Sequence, residues 1–122
     1  MARHISILSL LLSVYLMSAS AWGLALGDID PATLEETRSL IEDEGGAARA
    51  TTVDVTEADQ VAALVAGAVE QWGAVDVRVN NAGIMPLAFY ADHPRAAEAW
   101  SRCIDVNIKG VLNGIVAVYD TM

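Results

Sequence analysis

The feature that most constrains the fold is the alternation of short apolar runs with segments of helical pattern. Residues 24–28, 48–53 and 75–79 have the length and composition of β-strands, and helical patterns separate them. Such alternation predicts a parallel sheet whose strands are joined by crossover helices. The sequence therefore predicts an α/β domain with a doubly wound parallel sheet.

Residues that favour helix starts and helix ends bound the first two predicted helices. Asp30 followed by Pro31 is a favourable helix start, and the pair Gly45 and Gly46 favours its end. Thr56 is predicted to cap the second helix, which Gly73 ends. The apolar side chains of this second helix recur at helical spacing and predict one buried face: Val61, Leu64, Val65, Ala68, Val69 and Trp72.

From Ala96 to the carboxyl end the pattern is helical again. Tyr119 falls within this helix and is predicted to be a packing residue. The side chains predicted to face the core are Trp100, Cys103, Ile104, Ile108, Val111, Leu112 and Ile115.

Composition excludes several classes of protein. The 122 residues are 54% hydrophobic, which excludes a disordered chain. The formal charge of −9 disfavours binding to phosphate backbones, so no nucleic-acid partner is expected. With one cysteine and two histidines, the chain is not expected to hold a metal site.

Residues 1–21 form an apolar leader that differs from the rest of the chain. Arg3 and His4 precede a stretch in which only serines interrupt apolar residues, and Ala19-Ser20-Ala21 follows. This order is typical of a secretory signal. The stretch is shorter than the about 20 residues that span a bilayer, so no stable membrane span is expected. A substitute first helix is the alternative interpretation.

Polar residues follow each of the three predicted strands. Asp28 and Asp54 come at the ends of the first two, and Asn80-Asn81 comes after the third. Ligands of doubly wound sheets bind outside the carboxyl ends of the strands. A carboxylate there can accept hydrogen bonds from a ribose, which disfavours a 2′-phosphate, and the next can accept from an adenine amino group. Each Asp alone is equally typical of a turn or helix cap.

Four segments give the chain a specific resemblance to a known family. They are 26–31 (LGDIDP), 54–56 (DVT), 79–84 (VNNAGI) and 105–111 (DVNIKGV). In letters, order and spacing they resemble the short-chain dehydrogenase/reductase family. The resemblance covers about residues 21–122 and leaves the pattern incomplete at both ends.

The resemblance implies a truncated Rossmann-like domain over residues 22–122 that binds NAD or NADP. Asp28 would select the ribose and favour NAD, Asp54 and Val55 would contact adenine, and Asn107 would be the active-site asparagine. The remaining cofactor contacts would be Asn81, Ala82 and Gly83. The implied reaction is hydride transfer between the nicotinamide and an alcohol or carbonyl substrate.

Two departures from the family pattern limit that implication. No glycine precedes Gly23, so the Gly-rich phosphate loop that the family carries near residues 3–10 is missing. The catalytic Ser and the Tyr-x-x-x-Lys pair are also missing, and the chain is expected to be inactive alone. The alternative is an acidic, non-catalytic binding remnant of the fold that is exported.

Location and assembly follow from the same resemblance. A family member is expected in the cytoplasm and as a homo-oligomer when complete. If the leader acts as a signal, secretion is the alternative.

Overall fold

A computed structural model describes residues 23–86, 91 and 93–122, and the predicted leader lies outside them. Two strands, four α-helices and one π-helical turn follow one another along the described chain. In order they are β1 (Gly23–Asp28), α1 (Pro31–Asp43), β2 (Ala47–Thr52), α2 (Ala58–Trp72), α3 (His93–Ile104), the π-turn (Asp105–Lys109) and α4 (Gly110–Val118).

The two strands pair in parallel, with α1 as the crossover between them. Their register places Gly23 opposite Ala47 and Asp28 opposite Thr52. Each strand lies within one residue of its predicted position, so these two predictions are confirmed. Because the strands are parallel, their polar carboxyl ends lie at the same edge of the sheet.

Helices cover both faces of this strand pair. On one face, Leu26 packs with Leu34 and Ile41 of α1. On the other, Val53 packs with Val61 and Leu64 of α2. Neighbouring side chains of a strand point to opposite faces, so Leu24 joins the first cluster and Ala25 the second. This is the doubly wound arrangement that the alternation predicted.

The helix ends follow the local signals except at one position. Asp30 Oδ1 accepts a hydrogen bond from Ala32 N at 2.9 Å and caps α1. Gly73 ends α2 with φ of 86°, in the left-handed region that favours glycine. The capping prediction for Thr56 is wrong, because the residue at the N-cap of α2 is Glu57. Thr56 is instead bonded to the Asp54 carboxylate.

The prediction of a third strand at residues 75–79 is wrong for the described structure. Residues 74–83 carry no strand assignment, and Val77 and Val79 are 52% and 54% exposed. A strand is defined by the hydrogen bonds to its neighbour, and no described strand pairs with this segment. A cavity separates it from β1.

The face of the final helical region that packs inward differs from the predicted one. Ala96, Gly110, Gly114 and Val118 are buried. The predicted core residues Trp100, Ile104, Ile108, Leu112 and Ile115 are 40–55% exposed, and Tyr119 is 80% exposed. For Leu112 and Ile115 the prediction failed because α4 is apolar on nearly every side, so periodicity could not choose its inner face. Despite this composition, no helix in the described ranges is long and apolar enough to cross a membrane.

Candidate functional site

A cavity of about 1040 Å³ runs along the whole length of β1 and reaches the carboxyl ends of the strands. It extends inward between β1 and residues 74–79, and the π-turn and the start of α4 border it. Six of the seven predicted site residues line this one cavity: Asp28, Asp54, Val55, Asn81, Ala82 and Gly83. The fold therefore brings together residues that are up to 55 positions apart in the sequence.

Asp28 combines a turn role with a position in the cavity. Its Oδ1 accepts a hydrogen bond from Asp30 N at 3.0 Å, which fixes the link between β1 and α1. The side chain is half-buried, and its second oxygen has no hydrogen bond to another described residue. One oxygen thus holds the turn while the other can accept a hydrogen bond from a ligand.

Asp54 is held in a tighter network. Its Oδ1 accepts from Thr56 N at 2.9 Å and from Thr56 Oγ1 at 2.7 Å. Its own backbone N–H donates to Gln60 Oε1 at 2.9 Å. These contacts fix the turn of residues 54–56 between β2 and α2, which keeps the Asp54 carboxylate at the cavity wall.

Asn107 is exposed and is not among the residues that line the cavity. Its Oδ1 accepts from Ile84 N and its Nδ2 donates to Ile84 O, both at 2.8 Å. Cys103 Sγ, one helical turn earlier, contacts the same carbonyl at 3.5 Å and is half-buried. This two-point bridge joins the π-turn to the loop that follows Asn81-Ala82-Gly83. Asn107 therefore orients the loop, while the other predicted residues face the cavity.

Sequence reasoning missed a second contact between the last helix and the cavity wall. Asn113 Nδ2 donates to Val55 O at 2.8 Å. Gly110 lies against the Val55 side chain, where an added Cβ would be 2.7 Å from Cγ2. Asn113 is the one polar side chain in the α4 sequence GVLNGIVAV, and that isolation was the available signal.

Arg78 places a cation at the cavity where a covered strand would carry an apolar residue. Its Nε donates to Asn80 Oδ1 at 3.1 Å. Burial lowers the pKa of the Arg78 guanidinium from its ordinary value. The contact with Asn80 offsets part of the desolvation cost of this half-buried charge.

The donor and acceptor set of the cavity fits the adenosine half of a dinucleotide. The two carboxylates can accept from ribose hydroxyls and an adenine amino group, and Ala82 and Gly83 leave room for a flat ligand. No set of three or more His, Cys, Asp or Glu side chains that could bind a metal occurs among the residues that the structure describes.

Comparison with known proteins identifies the family. The family model described as short chain dehydrogenase matches residues 12–122. The chain belongs to this family. An oxidoreductase of Staphylococcus saprophyticus is 38% identical to it over 110 residues, which are 90% of this chain and 43% of that protein.

Solved structures of family members share the fold. A short-chain dehydrogenase/reductase of Burkholderia phymatum, solved in complex with NAD, has a TM-score of 0.80 at 27% identity. An alcohol dehydrogenase of Thermococcus sibiricus, complexed with 5-hydroxy-NADP, has a TM-score of 0.78 at 25% identity. Both similarities cover 90% of this chain but only 39% and 47% of the respective neighbours. The Rossmann fold and the family are thus confirmed, and the chain spans less than half the length of these relatives.

The bridge from Asn107 to Ile84 gives a direct test of how the loop is held. In Asn107→Ala both hydrogen bonds are lost, and we expect amide exchange at Ile84 to accelerate about fivefold, since one such bond is worth about 1 kcal/mol. Asn107→Asp is the matched control, because its carboxylate still accepts from Ile84 N. Hydrogen exchange followed by NMR measures both variants. Equal protection in wild type and Asn107→Ala would contradict the bridge.

Proposed function

We propose that the chain is the dinucleotide-binding portion of a short-chain dehydrogenase that transfers hydride between a nicotinamide and an alcohol or carbonyl substrate. The observation that carries this proposal is the convergence of Asp28, the Asp54–Val55 turn and residues 81–83 on one cavity at the strand ends. Residues 22–122 would form the partial Rossmann domain. The pocket for the small-molecule substrate would be formed mostly by residues outside this range.

Each part of the cavity has a role in this proposal. Asp28 binds the adenosine ribose, Asp54 and Val55 bind adenine, and residues 81–83 line the path toward the nicotinamide. Asn107 holds the loop after Gly83 through Ile84 and so sets the wall next to the reacting end. The nicotinamide, when bound, supplies or accepts the hydride.

The charges around Asp28 support NAD over NADP. A 2′-phosphate next to this carboxylate would bring like charges together in a partly dry site. Arg38 is the nearest base downstream, and its guanidinium is bonded to Glu35 and Glu42, which raise its pKa. Arg38 is therefore engaged by two carboxylates rather than left to neutralise a 2′-phosphate. Of the two arginines that line the cavity, Arg78 and Arg102, Arg78 is bonded to Asn80.

The preference for NAD over NADP can be tested with adenosine ligands that carry no pyrophosphate. Wild type is expected to bind adenosine more tightly than adenosine 2′-monophosphate, by about tenfold if charge repulsion costs about 1.4 kcal/mol. Asp28→Ala should bind both more equally, because it removes both the acceptor and the charge. NMR titrations of wild type and variant measure the two affinities.

Asp28→Asn is the control that separates charge from hydrogen bonding. It keeps an oxygen acceptor, so adenosine binding should be largely retained while discrimination against the 2′-phosphate falls. Equal affinities of wild type for the two ligands would argue against NAD selection by Asp28. Absence of adenosine binding would argue against the cofactor site itself.

We propose that this chain alone does not turn over substrate. A proton must reach or leave the substrate oxygen during hydride transfer, and the Tyr-x-x-x-Lys pair that the family uses for this does not occur in the sequence. Tyr119 lies at the exposed end of α4, away from the described cavity lining. Absorbance assays of NAD reduction with simple alcohols should show no rate above background, and measurable turnover would refute the proposal.

An exposed apolar stripe along α3, the π-turn and α4 supports self-association of this chain, as expected of a complete version. Ile104, Ile108, Leu112 and Ile115 recur at helical spacing and are about half exposed. Light scattering should show a larger species that Leu112→Glu reduces to the monomer, because a charge on the stripe resists burial. Leu40→Glu on α1, also about half exposed, is the matched control and should leave association unchanged. A monomeric wild type would contradict self-association through this stripe.

For the leader we propose a substitute first helix in a cytoplasmic protein. The family match begins at residue 12, inside residues 1–21, which supports this interpretation over a signal peptide. Export as an acidic, non-catalytic remnant of the fold is the alternative, which the signal-like order of residues 1–21 favours. The intact mass of the purified protein separates them, since cleavage after Ala21 would indicate export.

A further inference from the structure

The turn at Asp54 and Val55 is tied to a distant element through a single peptide unit. The amide N–H of Thr56 donates to Asp54 Oδ1 at 2.9 Å. The carbonyl of Val55, which belongs to the same peptide unit, accepts from Asn113 Nδ2 at 2.8 Å. Both polar groups of this peptide are therefore bonded, one within the turn and one to α4.

Shape complementarity supports the same contact. Gly110, one turn before Asn113, is buried against the Val55 side chain. An added Cβ at Gly110 would come within 2.7 Å of Val55 Cγ2 and 3.2 Å of its Cβ. The helix thus approaches the turn closely enough for the short Asn113 side chain to reach the Val55 carbonyl.

Asn113 is the one polar side chain of α4, and its hydrogen bond to Val55, rather than helix propensity, accounts for this residue. Every other residue of α4 is apolar or glycine. Asn is a poorer helix former than Leu or Ala by several tenths of a kcal/mol, so an apolar residue would suit the helix better. The hydrogen bond to Val55 offsets that cost.

We propose that Asn113 is a positioning residue for adenine recognition. By holding the peptide between Val55 and Thr56, it fixes the direction in which the Asp54–Val55 turn meets the base. This inference rests on the proposed function, because it assumes that the turn contacts adenine. It adds a residue outside the four motif segments and outside the cavity lining.

The same helical region therefore reaches two walls of the cavity. Asn107, in the π-turn, bonds the loop after Gly83, and Asn113, in α4, bonds the turn after β2. A change at Asn113 should act on the adenine side and leave the Ile84 contact in place. This separation gives the experiment an internal reference.

The first test compares adenosine binding by wild type and Asn113→Leu in NMR titrations of the full chain. Loss of the hydrogen bond should weaken adenosine binding about fivefold, in line with one neutral hydrogen bond. Hydrogen exchange at Ile84 should stay near wild type. Ile115→Leu, an exposed change on the same helix, is the matched control and should bind adenosine normally.

A pH profile separates positioning from simple packing. Asn113→Asp keeps the side-chain shape but its ionised carboxylate cannot donate to the Val55 carbonyl. The protonated form can donate, and proximity to the carbonyl raises the pKa of the new carboxyl above its ordinary value of about 3.9. The adenosine affinity of Asn113→Asp, relative to that of wild type, should therefore rise as the pH falls from about 7 to about 5.

The outcomes distinguish this inference from the proposed function. Adenosine binding that is unchanged in Asn113→Leu, or an affinity ratio of Asn113→Asp that is flat with pH, overturns the positioning role while the cofactor site stands. Wild type that binds no adenosine overturns both. Weaker binding in Asn113→Leu together with the rising ratio supports the role.

Discussion

The close approach of α4 to the cavity walls is the contact on which the site depends. Gly110 and Gly114 are buried, and a Cβ at either would come within 2.7 Å of Val55 Cγ2 or 2.0 Å of Asn80 Oδ1. A larger residue at Gly110 would meet the branched Val55 side chain, push the helix away and separate Asn113 from the Val55 carbonyl. Because the glycine face turns inward, the bulkier stripe with Ile108 and Leu112 turns outward.

A structural role and the proposed binding role coincide at the two carboxylates. Asp28 and Asp54 each use Oδ1 to hold the backbone two residues later, as isolated turn residues would. The same bonds fix the direction of each carboxylate at the strand ends. A turn interpretation and a ligand interpretation of these residues are therefore not exclusive, since rigid placement of an acceptor lowers the cost of ordering it on binding.

The sequence predicts what local chemistry determines. Asp30, Pro31 and Gly73 mark helix ends through backbone geometry, and the stripe of α2 appears because its opposite face carries alanines and polar residues rather than large apolar ones. Residues 24–28 and 48–53 are predicted within one position because they pair with each other. The four motif segments supply about half of the residues that line the cavity, including all six of the predicted site residues found there.

The features that sequence reasoning missed are those that tertiary contacts determine. The inner face of α4 is the one whose small residues let Val55 and Asn80 approach. Because the helix is apolar on nearly every side, the spacing of its apolar residues does not show which face that is. Likewise, residues 75–79 have the composition of a strand, but a strand also needs a neighbouring strand to accept its backbone hydrogen bonds. None of the described strands pairs with this segment. The contact between Asn113 and Val55 joins residues 58 positions apart, beyond the reach of any local rule.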